Sequence, residues 1–380
     1  SKDSSTTPSG FDFSNSNNAL YLAPIPANAG TGANVAFSLD TTVGLTLGDN
    51  SAAEVAKRIF VVAFQEGFDG FNPTTPKYKG ADITATNTQG LNCSTNAKSG
   101  SVAYARAFDA LSNPDEWDIN LLSTPGIVRS LHPSVTTDAI DMCESREDVF
   151  YIADFVGAEA SIADAVEQAE SVDTNYAGTY YPWIKTIDTN TNKVVTVPPS
   201  VLLPAVYAQS DRLGAEWFAP AGLNRGGIPG AIQVVNRLTH SERDTLYESN
   251  VNPIAAFPGQ GISAFGQKTL QAKASALDRI NVRRLLINLK KFVASTSRFL
   301  VFEQNTAQTR QRFLSTVNPY LESVQQRQGL YAFRVVMDET NNTPDVIDRN
   351  ILAGAIYLQP AKTAEFIIID FNVLPTGATF

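Results

Sequence analysis

DVFYIADFVGAEASIADAVEQAESV, Asp148–Val172, reads as a strand, DVFYIADF, followed directly by an amphipathic helix, SIADAVEQAESV. The same alternation continues on either side. Upstream, GSVAYARAFDALSN carries Tyr104, Phe108 and Leu111 at helical spacing, and WDINLLSTPG is expected to be a strand that stops at a Pro125-Gly126 turn. Before these, RIFVVAF is a buried-strand candidate and FQEGFDGFNP a turn built from Gly and Pro. Downstream, YYPWIKTID and NKVVTVPPS form two strands around the polar TNTN, leading into the helix SVLLPAVYAQSDRLG. Strand, helix, strand, helix is the order in which crossover helices cover a largely parallel sheet. The expected fold class is therefore α/β, a mixed sheet layered with helices, with a β-rich N-terminal part.

Farther along, LTHSERDTLYESN is a predicted helix whose Thr239 and Glu242 suit a capping box. Two long helical patterns run from Ala274 to about Arg327, with Asn318 and Pro319 placed as N-cap and first residue of a new helix and Gly329 as a stop. LYAFRVVMD, LAGAIYLQ and AEFIIIDF make the end strand-rich. From Phe366 to Ile369 the last run is apolar on both alternating faces, so a strand there needs cover on two sides and partners along its edges. We expect residues 1–50 to be a linker or remnant of a β-rich surface domain, 51–240 an α/β core domain, and 241–380 a C-terminal α/β domain with a terminal strand or arm.

At 380 residues the chain can bury a large core. Its formal charge of -9 opposes nucleic-acid binding by bulk electrostatics, and no apolar stretch approaches the ~20 residues that cross a bilayer. Ser1 in place of methionine and the linker-like SKDSSTTPSG lead us to expect a truncated or protease-resistant fragment of a longer chain. The two cysteines, Cys93 and Cys143, show neither a CxxC nor a metal-ligand spacing, so idle thiols are expected and no metal site.

Catalytic signals are few. His240 falls in the first turn of a predicted helix and His132 in a loop before a proline, neither in a nucleophile elbow nor in a metal pattern. GQGISA, Gly259–Ala264, spells a dinucleotide loop, but Pro258 precedes it and Gly266 interrupts the helix that would have to follow, so a backbone turn is the better reading. AGLNRGG, Ala221–Gly227, lacks the Gly-Lys-Ser/Thr ending of a phosphate loop and reads as a conformationally demanding loop. DETNNTPD, Asp338–Asp345, misses the glycine and final acid of a calcium loop; Asn341 and Asn342 suit a turn, and Thr343-Pro344 caps a short helical turn. No catalytic, cofactor or metal residue is assigned, and an α/β nucleotide- or dinucleotide-binding enzyme using the glycine loops is kept as the competing reading.

DRINVRRLLINLKKFVASTSR, Asp278–Arg298, departs from the acidic background. Val282, Leu286, Leu289 and Val293 form an apolar stripe, and Arg279, Arg283 and Lys290 follow the same spacing about 100° away. With Arg284 and Lys291, and with Arg310 and Arg312 on the next helix and Arg327 beyond, this is a positive ridge suited either to solvent or to an acidic partner.

In order, AFQEGFDG, DINLLSTPGI, DVFYIADF, TNYAGTYYPWIKTID, VTVPPSVLLPAVYAQSDRLGAEWFAPAGLNRGGI, DTLYESNVNPIAAFPGQGISAFGQKTL, RINVRRLLINLKKFV, VFEQNT and TNNTPDVIDRN with AEFIIIDF resemble the sheath proteins of contractile phage tails and related injection machines. The resemblance runs from about Ile59 to Phe380 and is closest in the C-terminal part to large myophages; the part ahead of Ser51 does not match clearly, and no N-terminal arm is recognisable. It implies a structural, non-enzymatic role. Such subunits form hexameric rings stacked around a tail tube in a metastable extended state, and a baseplate signal releases the contraction that drives the tube through the host envelope. Partners implied are other sheath subunits, the tube protein, baseplate and tail terminator proteins. No cofactor, nucleic acid or direct membrane insertion is implied, and the location is the virion, with assembly in the host cytoplasm. Terminal arms of neighbours add strands to each subunit's C-terminal sheet, which casts Phe366, Ile367, Ile368, Ile369, Phe371 and Val373 as a strand-exchange arm. A helical region faces the tube partly through charge, which casts Arg279, Arg283, Arg284, Lys290, Lys291, Arg310 and Arg312 as a tube or inter-subunit interface.

Overall fold

The computed structural model describes residues 82–88, 90–189 and 192–365. The expected β-rich part at 1–50, the RIFVVAF strand, the turn after it and the 366–373 arm lie outside the described residues. The elements are, in order, α1 (Ser99–Leu111), β1 (Leu121–Val128), α2 (Pro133–Arg146), β2 (Phe150–Asp154), α3 (Ile162–Glu170), β3 (Ala177–Tyr181), β4 (Ile184–Asp188) and β5 (Lys193–Val197). There follow α4 (Pro199–Leu213), α5 (Gly222–Arg225), β6 (Ala231–Val234), α6 (His240–Glu248), β7 (Val251–Phe257) and β8 (Gly261–Ala264). A 3-10 turn (Ala276–Asp278) leads into α7 (Ile280–Arg298), α8 (Ala307–Gln326), β9 (Leu330–Val336), α9 (Pro344–Asp348) and β10 (Ala355–Pro360).

A mixed five-stranded sheet in the order β1-β2-β3-β7-β8 forms the centre, parallel except for the β7–β8 hairpin. Every residue of β2 is buried because the sheet is covered on both faces. Tyr151 and Ala153 point into a core shared with Val135, Ala139 and Cys143 of α2 and with Ala165 and Ala169 of α3. Phe150 and Ile152 point the other way, onto Leu203, Val206 and Tyr207 of α4 and Ile280 and Ile287 of α7. A third core joins Leu285 and Leu289 of α7 to Phe313, Val317, Leu321 and Val324 of α8 and to the antiparallel β9–β10 ribbon. Capping boxes open α3 (Ser161 with Asp164) and α6 (Thr239 with Glu242), the second as the sequence predicts.

Three local expectations are corrected. β1 does not stop at Pro125-Gly126: a register shift between Ser123 and Val128 absorbs the missing Pro125 N–H, and the strand resumes against Asp154. YYPWIKTID is not one strand. Tyr180 and Tyr181 end β3, and after Pro182 the chain enters a separate antiparallel sheet in the order β5-β4-β6. Asn318-Pro319 does not begin a helix; both lie inside α8, whose buried Phe313, Val317, Leu321 and Val324 outweigh the hydrogen bond that Pro319 forfeits.

Asp154, at the carboxyl end of β2, is fully buried and accepts hydrogen bonds from the Ser200 N–H (3.1 Å) and the Ser200 hydroxyl at the start of α4. Burial pushes its pKa up from 3.8 to about 7, against the lowering effect of Ser200. Between those values the native state holds the proton more tightly than the unfolded chain does, so this group's contribution to stability declines as pH rises through that window. Asp154→Asn is expected to remove that decline, so that the variant gains on the parent between about pH 4 and about pH 7 in urea melts. Parallel stability curves across that range would contradict the assignment.

Candidate interaction surface

The expected positive ridge on α7 is largely folded onto the chain's own acids and aromatic rings, because the helix is buried on all sides from Ile280 to Leu285. Arg284 forks both oxygens of Asp211 at 2.8 and 2.6 Å with its guanidinium 5.0 Å from the Tyr207 ring centre. Arg283 lies 4.2 Å from the Tyr176 ring centre, and burial lowers its pKa. Arg279 binds Glu365 at 2.7 Å and Asp278 at 3.2 Å. Lys291 donates to Asp118 (2.6 Å) and the Ile119 carbonyl (2.7 Å), while Lys290 meets Glu147 and Arg298 meets Asp115. These contacts hold the carboxyls of Asp118 and Glu147 below their ordinary values. Arg310 is buried on Asn305 at 2.8 Å. Arg312 is exposed beside Phe299 and Leu300, and Lys290 is half-exposed.

The β9–β10 ribbon carries a different kind of surface. Phe333 opposes Leu358 and Val335 opposes Ile356 on the side packed against α8, while Arg334 and Tyr357 pair on the outer side. Tyr331 and Tyr357 are exposed, and no third strand joins the ribbon among the described residues. An exposed pair of edges with unpaired backbone groups is a template for strand addition.

The connection between the two strands is closed by Asn342, a residue read from sequence only as part of a turn. Its amide donates to the carbonyls of Asp338 (3.0 Å) and Ala353 (2.8 Å), and its oxygen accepts from the Ala353 N–H (2.9 Å). Asn305, from VFEQNT, reaches the same loop, donating to the Asn342 oxygen (3.2 Å) and the Ile351 carbonyl (2.9 Å). The recurrence of Asn in both stretches was the available signal; their meeting across 37 positions was not readable from spacing.

After β10, Ala361–Glu365 runs along a cleft of about 1070 Å³. Glu365 accepts from Arg279 and from Gln267 (3.0 Å), fixing the point from which the C-terminal segment leaves. The glycine motifs form no phosphate site. GQGISA is the β7–β8 hairpin, with Gly259 and Gly261 in the left-handed region and no helix N-terminus following. Gly226 of AGLNRGG packs so tightly that a Cβ would lie 2.5 Å from the Ala264 carbonyl oxygen. His132 is buried between the Val128 N–H and the Thr84 carbonyl, with its pKa pushed down by burial, and His240 is exposed beside Asp244. Among the described residues no group of His, Cys, Asp and Glu could hold a metal ion. Nor is any helix there long and apolar enough to cross a membrane.

The pairing on α7 makes unequal demands. Arg284→Ala leaves Asp211 without its partner at a mostly buried site and is expected to cost about 3 kcal/mol, whereas Lys290→Ala, at the surface, is expected to cost under about 1 kcal/mol. Urea denaturation of the two variants measures the difference, and equal losses would contradict it.

Two family models match: the phage tail sheath protein central domain over residues 97–270 and the phage tail sheath C-terminal domain over residues 272–374. The tail sheath protein of Vibrio phage KVP40 is 40% identical over 228 residues, covering 59% of this chain and 33% of the relative. That of Enterobacteria phage T4 is 39% identical over 184 residues, covering 48% and 28%. The chain thus spans about a third of the length of the curated relatives it matches. Among solved structures, the contracted sheath complex of the PVC extracellular contractile injection system superposes with a TM-score of 0.61 at 21% identity, covering 83% of this chain and 98% of that one. The contracted helical sheath of the anti-feeding prophage gives 0.59 at 24%, covering 74% and 75%. These likenesses show the same fold, and the two domain models show the lineage: the chain belongs to the phage tail sheath protein family.

Proposed function

We propose that this chain is the core of a structural subunit of a contractile tail sheath, polymerising as stacked hexameric rings around a tail tube and contracting to drive the tube through the host envelope. Its partners would be further sheath subunits, the tube protein, the baseplate and the tail terminator, within the virion after assembly in the host cytoplasm. The observation that carries the reading is the β9–β10 ribbon: two strands, packed on one side and joined by no third strand among the described residues, followed in sequence by a segment rich in Phe and Ile. A two-stranded ribbon is marginal alone, and strands from neighbouring subunits would complete it. Phe366, Ile367, Ile368, Ile369, Phe371 and Val373 are the proposed donor arm, leaving from Glu365. Backbone pairing of this kind tolerates rotation of whole subunits better than interlocking side chains do, which suits a lattice that changes packing without coming apart. Of the seven ridge cations, Lys290 and Arg312 are the proposed tube or neighbour contacts, since their charge is the most open to solvent.

Contraction needs no catalytic group. A small free-energy gain per subunit, summed over many copies and held back by a barrier, is sufficient. The 380-residue chain is expected to form tubular or ring polymers in electron micrographs, and deleting residues 366–380 is expected to abolish them while leaving the fold intact by circular dichroism. Polymers of undiminished length from the truncated chain, or a full chain that stays monomeric in the ultracentrifuge, would overturn the reading.

A further inference from the structure

The turn joining α7 to α8 displays apolar side chains to solvent. Phe299 is 78% exposed, Val301 60%, and Phe302 fully so, with Phe302 in the left-handed region at φ 70°. That conformation is uncommon for any residue other than glycine, Asn or Asp, and it costs free energy that the isolated chain does not recover through packing of this ring. The turn is nonetheless firmly built. Leu300 N–H reaches the Ser297 carbonyl at 2.9 Å, Glu303 N–H the Leu300 carbonyl at 3.1 Å, and Asn305 ties the following residue pair to the Asn342 loop. Glu303, beside the exposed ring, makes no ion pair among the described residues.

The cleft described above has the opposite character. Trp217, Phe218, Phe257 and Phe265 line it together with Arg225 and Arg243 and with three carboxylates, Asp244 beside His240, Glu365 on Arg279, and Glu248. Arg225 lies 4.8 Å from the Phe218 ring centre, and Arg243 lies 5.3 and 5.6 Å from those of Phe257 and Phe265. Neither arginine has a carboxylate partner among the described residues. Two further lining residues, Gln267 and Asn281, are each only 3% exposed, and their side-chain oxygens have no hydrogen-bond partner. Asn281 is in the first turn of α7 and the exposed turn follows its last, so the 19-residue helix, about 28 Å long at 1.5 Å per residue, separates tip from cleft.

We propose that the Phe299–Phe302 tip of one copy seats in the cleft of a second copy, with Glu303 meeting Arg225 and Arg243. This rests on the sheath reading for the existence of a polymer, but names a contact separate from the strand exchange. Both halves are carried by this chain, they match in aromatic character, and Glu303, an acid with no ion pair among the described residues, would meet Arg225 and Arg243, which have no carboxylate partner there. Because the two halves are different surfaces of one chain, the contact is head-to-tail, and successive copies either close into a ring or run on as an open row.

The test uses Phe302→Cys combined with Ala221→Cys, since Ala221 lines the cleft and both native cysteines are buried. A short bis-maleimide is expected to give a ladder of linked copies from the double variant, and only a single linked pair from a mixture of the two single variants, with the link mapped by mass spectrometry. Phe302→Ser and Glu303→Arg are each expected to weaken self-association at least tenfold with an unchanged melting temperature. Absence of the mapped link overturns the proposal. So does a link that forms only after residues 366–380 are deleted, because the cleft would then hold the chain's own tail. Polymers in micrographs without the link would sink this contact alone, and absence of any self-association would sink the sheath reading with it.

Discussion

Helix α7 is clamped from two sides, and the architecture follows from that clamp. Ile280 and Ile287 close one face of the central sheet, and Leu285 and Leu289, nearly half a turn away, close the layer formed by α8 and the ribbon. A helix apolar on two faces has little perimeter left for charge. Arg283 and Arg284 are consequently drawn inside, where an unpaired guanidinium would be prohibitive. Arg284 is neutralised by a bidentate carboxylate, and Arg283 lies on an aromatic face. The basic segment is best understood as an internal seam between two cores, with open charge remaining only toward its C-terminal half.

How far the sequence discloses this depends on the range of the interaction concerned. The strand and helix of Asp148–Val172 are legible because each is specified by its own periodicity, and the Thr239–Glu242 cap because it is complete within four residues. Pro125 and Pro319 mislead for a common reason. Proline's local penalty inside a helix is about 3 kcal/mol or more, and a register shift in one case and a buried stripe in the other absorb what proline forfeits. The arginines mislead because helical spacing describes one surface, whereas α7 has two covered ones. Asp211, Glu147, Asp118 and Asp115, which quench the ridge, are distant in sequence, and nothing in the spacing of the cations announces them.

The same distinction separates the ribbon from the central sheet. The central strands pair with one another across crossover helices, and their apolar faces meet within the molecule. The ribbon satisfies its apolar face against α8, but among the described residues no strand pairs with either of its edges, so its folding there is local. Asn342 and Asn305 compensate in part. They fix the connection between the two strands through amide contacts, which keeps the ribbon's register defined.

The grip of Arg279 and Gln267 on Glu365 has a mechanical consequence. Tension applied to the C-terminal segment is intercepted at that carboxylate before it reaches β10, and it is delivered through Arg279 into the start of α7. Because that end of the helix is wedged between the sheet and Trp217, a tug on the segment becomes a torque on a rod embedded between two cores, and the ribbon is spared from peeling.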